Sequence, residues 1–134
     1  MKRPRVAIYT VTYNRIDYNK RLFKELKEYT ATPYDHFIVD NNSTDGTVEF
    51  LKINPFRAKK IIFNKENKGI AAAQNQALDS IGDKYEYIIK VDPDIEFVTK
   101  GWLNELIKIL KKMGDKIVLS PFIDFGECMC KEKD

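Results

Sequence analysis

The run Tyr85-Glu-Tyr-Ile-Ile-Lys-Val-Asp-Pro-Asp-Ile-Glu-Phe97 decides how this chain is read. Tyr87, Ile88, Ile89 and Val91 are aromatic or β-branched and nearly continuous in apolarity apart from Lys90, the pattern of an inner strand of a parallel sheet. Pro93 ends that strand, because proline brings no N–H to the ladder and pushes Asp92 towards extended geometry. Two carboxylates at i and i+2 of an extended chain point the same way, about 6–7 Å apart. At the carboxyl edge of a parallel sheet, Asp92 and Asp94 can hold a divalent cation and what the cation carries.

Outward from this stretch, strand and helix patterns alternate. Val6-Ala-Ile-Tyr-Thr-Val-Thr12 reads as a strand, and a helix follows over about 18–29, with Leu22, Phe23, Leu26 and Tyr29 as its apolar stripe. His36-Phe-Ile-Val-Asp40 is a second strand. Asn41-Asn-Ser-Thr-Asp-Gly46 has no apolar residue and several capping types, so it is a loop launching a short helix with Val48, Phe50 and Leu51. Lys60-Ile-Ile-Phe-Asn64 is a third strand, residues 70–81 a third helix, and about 100–113 a fourth. Lys116-Ile-Val-Leu-Ser-Pro-Phe-Ile123 predicts a fifth strand, with 124–134 as a charged tail.

Strands and helices alternating with short loops predict an α/β fold: a Rossmann-like, doubly wound, mainly parallel sheet with helices on both faces, one domain over 1–123. Ligands of such sheets bind at the carboxyl ends of the strands. Four polar clusters fall there: Thr12-Tyr-Asn-Arg15, Asp40-Asn-Asn-Ser43, Asn67-Lys-Gly69 and Asp92-Pro-Asp94.

The bulk numbers narrow the function classes. Hydrophobic residues make up 43% and charged residues 32%, as in an ordinary globular domain. Net charge is only +3, with 23 basic residues among 20 acidic ones, which supports neither a nucleic-acid nor a membrane footprint. No apolar run approaches the roughly 18 residues of a membrane span, and the N-terminus does not read as a signal peptide, so a cytoplasmic setting is expected. Cys128 and Cys130 are too close for an ordinary disulfide and supply half of a zinc ligand set; they read as reduced bystanders.

The rim residues admit two readings each. Asp92 and Asp94 are either a solvated turn or a ligand pair for Mg²⁺ or Mn²⁺, which keep waters and bridge to substrate phosphates. Tyr13 either covers the core edge or offers a flat face to a base. Asp40 and Asn41 either cap and shape their loop or meet a base and ribose. The chain has neither G-x-G-x-x-G after the first strand nor G-x-x-x-x-G-K-[ST], which argues against a dinucleotide site and a P-loop. His36, the lone histidine, lies at the wrong end of its strand for the rim and reads as structural.

Taken together, Val-Thr-Tyr-Asn-Arg (11–15), Ile-Val-Asp-Asn-Asn-Ser-Thr-Asp-Gly-Thr (38–47), Asn-Lys-Gly-Ile-Ala-Ala-Ala-Gln-Asn (67–75) and Val-Asp-Pro-Asp (91–94) resemble the ordered motifs of family 2 glycosyltransferases of the GT-A fold. The resemblance spans residues 5 to about 123. It implies a nucleotide-sugar donor site and an inverting transfer to a glycan, lipid or protein acceptor. It places Thr12, Tyr13, Asn14, Arg15, Asp40, Asn41, Asn67, Gly69, Asn75 and Asp92 around the nucleotide, and Asp92 and Asp94 on Mn²⁺ or Mg²⁺. Asn41 can accept from a pyrimidine N3–H, so a uridine or thymidine diphosphate sugar is the expected donor.

Three departures accompany the resemblance. Asp40-Asn41 stands where many relatives have Asp-Asp. Ala73-Gln74-Asn75 stands where many have Ala-Arg-Asn, which removes a bidentate diphosphate partner and leaves Lys65 or Lys68 to supply charge. Relatives also carry a catalytic Asp or Glu well downstream, whereas about forty residues follow Asp94 here, with Asp124 and Glu127 the acids in a candidate position. The alternative is therefore a nucleotide-sugar-binding module completed by a partner chain or a second copy. A nucleotidyltransferase is a third reading, disfavoured because residues 11–15 contain no glycine.

Overall fold

The computed structural model describes residues 5–114. Eight elements alternate along them: β1 (Val6–Thr12), α1 (Ile16–Tyr29), β2 (Asp35–Asp40), α2 (Thr47–Ile53), β3 (Lys60–Phe63), α3 (Ile70–Ile81), β4 (Tyr87–Lys90) and α4 (Trp102–Met113). The four strands form one parallel sheet in the order β3-β2-β1-β4. Chain direction across the sheet therefore reverses beside β1: α1 and α2 lead away to β2 and β3, and α3 carries the chain back to β4 on β1's other side. The open carboxyl edge at such a reversal is where ligands of doubly wound sheets sit.

Side-chain alternation builds two cores. Val6, Ile8 and Ile38 pack on Leu22, Phe23 and Leu26 of α1, Leu51 of α2, and Leu103 and Ile107 of α4. The opposite face carries Ala7, Tyr9, Val11, Phe37 and Val39 against Ala73, Ala77 and Ile81 of α3. Covered on both faces, β1 is buried at all seven positions. This is the fold expected from the alternating patterns. The expected fifth strand at 116–123, the tail, Asp124, Glu127, Cys128 and Cys130 lie outside the described residues.

Local details depart from the sequence-based picture. Among the described strands β1 is the one buried at every position, and β4, formed by the run 87–90, lies at the edge and alternates half-buried with exposed residues. Among the described residues its apolar run packs on one side, with Tyr87 and Ile89 on the α1 core and Ile88 exposed. Asp92-Pro-Asp-Ile95 is not extended. The Ile95 N–H donates to the Asp92 carbonyl at 3.2 Å, closing a turn. Asp first and Pro second is a preferred start of a β-turn, and that preference wins over continuation of the strand. Helix α1 begins at Ile16, two residues earlier than its apolar stripe suggests, because Asn14 and Arg15 turn through left-handed conformations and Asp45 Oδ2 accepts the Ile16 N–H at 2.8 Å. Helix α4 begins at Trp102, after Gly101 at φ 79°.

Candidate active site

A cleft of about 420 Å³ opens on the carboxyl edge of the sheet. The loop after β1 contributes Tyr13, Asn14 and Arg15, the loop after β2 contributes Asn41, and the loop after β3 contributes Asn67 and Gly69. Asp92, Pro93 and Asp94, after β4, complete the wall, and Val11 and Ile70 are its apolar lining. Four loops separated by up to 80 residues thus meet in one place, because four parallel strands end at one edge.

Thr12 and Asp40 are registered opposite each other at the ends of β1 and β2, and neither lines the cleft. Both are fully buried. Asp40 Oδ1 accepts from the Thr12 hydroxyl at 2.7 Å and the Ser43 hydroxyl at 2.6 Å, while Oδ2 accepts the Ser43 N–H at 2.9 Å. The carboxylate is spent on folding its own loop back over the strand ends. Asn75, on α3, is exposed and also lies off the cleft wall.

A second set of bonds joins the loops after β1 and β2. The Asn14 N–H donates to Ser43 Oγ at 2.7 Å, and Asn14 Oδ1 accepts the Thr44 N–H at 2.7 Å. Asn19 Nδ2 donates to the Asn14 carbonyl and to Thr47 Oγ1. Asp45 accepts the Ile16 N–H with one oxygen and the Thr47 N–H and hydroxyl with the other. Burial pushes the Asp45 carboxyl up, but the Thr47 hydroxyl and the Ile16 and Thr47 amides outweigh it and hold the group below its usual range. Asn14 therefore shapes the wall that Tyr13 and Arg15 stand on. Tyr13 itself is 52% exposed, with a ring face available to a planar ligand.

Behind the cleft lies an amide cluster that sequence reasoning missed. Asn41 is 3% exposed, and its Oδ1 accepts from Asn64 Nδ2 at 3.0 Å. Asn64 in turn exchanges two 2.8 Å bonds with the Gln76 amide. The available signal was a polar residue closing an otherwise apolar strand, Phe63-Asn64. Its partner on α3 is twelve residues away, and no spacing rule joins them.

At the other end, Asp92 pairs with Lys90 at 3.2 Å, and Asp94 is exposed and joins none of the ion pairs among the described residues. The described residues gather no group of three or more His, Cys, Asp or Glu. Two carboxylates fit a hard divalent ion that completes its shell with water and phosphate oxygens, and do not make an all-protein cage. The cation on the cleft wall is Arg15; Lys65 and Lys68 are not among the lining residues. No helix among the described residues is long and apolar enough to cross a membrane.

The family model Glycosyl transferase family 2 matches residues 7–128. The chain belongs to this family. It is 29% identical over 92 residues to TuaG of Bacillus subtilis (strain 168), assigned to teichuronic acid biosynthesis as a glycosyltransferase, covering 67% of this chain and 36% of TuaG. The fold superimposes with a TM-score of 0.68 on the mannosyltransferase PcManGT from Pyrobaculum calidifontis, solved with GDP-Man and Mn²⁺, at 26% identity over 80% of this chain and 32% of that one. TarS of S. aureus, residues 1–349 with UDP, gives a TM-score of 0.66 at 21% identity, covering 81% of this chain and 32% of the other. The family 2 chain thus spans about a third of the length of these relatives.

Proposed function

We propose that the cleft is the donor site of a glycosyltransferase that takes its sugar from a pyrimidine nucleoside diphosphate sugar. The observation that carries this reading is the placement of two chemically different groups at opposite ends of one cleft. Asp92 and Asp94 follow β4, Asn41 follows β2, and β1 with Tyr13 lies between them. Two strand spacings separate the ends by about 10 Å, the reach from a diphosphate across ribose to a base.

In this reading Asp94, with Asp92, holds Mn²⁺ or Mg²⁺, Arg15 faces the diphosphate, and Tyr13 stacks on the base. A bound divalent ion would offset charge on the departing diphosphate. Thr12, Asp40 and Asn14 act by fixing the loops. The relative solved with GDP-Man and Mn²⁺ supports a nucleotide-sugar ligand for this fold. The transfer would be inverting, which requires a base within hydrogen-bond reach of the acceptor hydroxyl. Among the described residues the acids lining the cleft are Asp92 and Asp94, both assigned to the metal, and this favours a second reading: donor binding here, with acceptor and base supplied by a partner chain or second copy. Asp124 or Glu127 would be the base if the chain acts alone.

The experiment that separates these is turnover against a panel of nucleotide sugars, with and without Mn²⁺. Binding with slow release of free nucleoside diphosphate and little transfer is expected of the 134-residue chain. Fast transfer, lost in Asp124→Asn or Glu127→Gln, would refute the binding-module reading. Absence of any nucleotide-sugar binding would refute both.

A further inference from the structure

We propose that Glu25, on α1 and outside the cleft, is a positioning residue for the metal end of the site. It holds the loop that carries Asp94 and so sets the metal-linked part of nucleotide binding. The inference rests on the donor-site reading above and adds to it a residue that touches neither nucleotide nor metal.

Asp94 joins none of the ion pairs among the described residues, so its carboxylate goes where its backbone goes. That backbone is pinned on both sides. Upstream, Val91 is buried and its N–H donates to the Tyr9 carbonyl at 3.0 Å, so β1 holds the entry to the loop. Downstream, Ile95 and Phe97 pack on the core that α1 builds with Leu22, Phe23 and Leu26. There Glu25 Oε2 accepts the Phe97 N–H at 3.2 Å, and Arg21 Nη1 donates to Glu96 Oε1 at 2.8 Å. Tyr29 stacks on Phe97 with ring centroids 6.3 Å apart, and its carbonyl accepts the Gly101 N–H at 3.1 Å. One helix thus receives the loop at Glu96, Phe97 and Gly101.

These ties differ in what they fix. The Arg21–Glu96 pair has side chains 35% and 64% exposed, and solvent screens such a pair to a small contribution. Ring contacts let Phe97 slide within its plane. The Glu25 bond is directional and part-buried, and it joins a carboxylate to a backbone amide three residues past Asp94. Without it that amide loses its partner, and residues 94–97 are free to relax. A divalent ion held by two protein carboxylates depends on the placement of both. The nucleoside wall is referenced to the same helix, since Asp45 accepts the Ile16 N–H at its first turn, about 14 Å along the axis from Glu25. Loss of Glu25 therefore loosens the metal end and leaves the nucleoside end in place.

The experiment is calorimetric titration of the 134-residue chain with UDP, in Mn²⁺ and in EDTA, with Mn²⁺ binding followed by the EPR signal of the free ion. Glu25→Ala is expected to cut the gain in UDP affinity from Mn²⁺ about tenfold, at unchanged affinity in EDTA. Glu25→Gln removes the charge but keeps an oxygen that accepts the Phe97 N–H, and should behave as the parent chain does. Glu96→Ala releases Arg21 alone and should lower the gain about twofold or less. A Gln variant as weak as the Ala variant would trace the effect to lost charge, and equal weakening in EDTA and Mn²⁺ would trace it to general loosening. Either result overturns the inference, as does a Glu25→Ala chain with the parental Mn²⁺ gain; in all three the donor site stands. No Mn²⁺ gain in the parent chain would overturn the metal assignment and this inference with it, and no UDP binding at all would overturn the donor-site reading.

Discussion

Asp40 shows how one side chain can matter to a site it does not touch. Its two oxygens take three hydrogen bonds in a place with no exposed surface, and together they fold residues 40–43 over the ends of β1 and β2. Asp40→Ala strands the Thr12 hydroxyl and the Ser43 amide, and is expected to cost about 3 kcal/mol of stability, read from urea melts. Asp94 is the converse, exposed and free of ion pairs among the described residues, so Asp94→Ala should fold normally. It is expected to abolish Mn²⁺-linked nucleotide binding, whereas Asp92→Ala weakens it less because Lys90 already competes for that carboxylate. Equal nucleotide affinity in EDTA and in Mn²⁺ would remove the metal from the site. Tyr13→Ala removes the stacking face and is expected to weaken nucleotide binding about tenfold, at unchanged melting temperature.

At the scale of elements, α3 sits flush on the sheet because Ala73 and Ala77 bring no side-chain bulk to the contact. Ala77→Leu would force three added carbons between Phe37, Val39 and the helix. A loss of about 1–3 kcal/mol is expected, and a stability equal to the parent chain would show a void there. The same element marks what could be read from sequence and what could not. Its bounds, 70–81, follow from apolar spacing closed by Gly82. The alternating order and the four polar clusters were legible because period and turn chemistry are local. Three things were not: that Asp40 turns inward while Asn41 reaches the cleft, that Asn64 grips Gln76, and that β4 is an edge among the described strands. Each depends on contacts between segments distant in the chain, and neighbouring polar residues such as Asp40 and Asn41 carry no local mark of which faces the ligand.

Over the whole molecule, the least expected electrostatic feature is His36, whose burial lowers its pKa from 6.5 to about 3. It is held neutral on the α1 face of the sheet, with Nε2 2.9 Å from the Thr10 hydroxyl and Phe23 edge-on to its ring. Between pH 6.5 and about 3 the unfolded chain binds a proton that the folded one refuses. This contribution is therefore complete above pH 6.5 and is lost as pH falls, by up to about 1.4 kcal/mol per unit. Melting temperature is expected to drop between pH 6.5 and 4, and His36→Gln should flatten that drop; an unchanged slope would locate the acid sensitivity elsewhere. The loops around the cleft have a different bearing on the molecule. Asp45 receives the Ile16 amide and Asn14 the Thr44 amide, so the two walls flanking Tyr13 are tied together by folding alone. The ordering entropy of that half of the cleft is then settled before a nucleotide arrives, and little of its binding energy goes into assembling walls. Those two amides are expected to resist deuterium exchange in ligand-free protein nearly as long as the amides of β1, and nucleotide should hardly change them. Fast exchange slowed only by nucleotide would describe a pocket that its ligand builds.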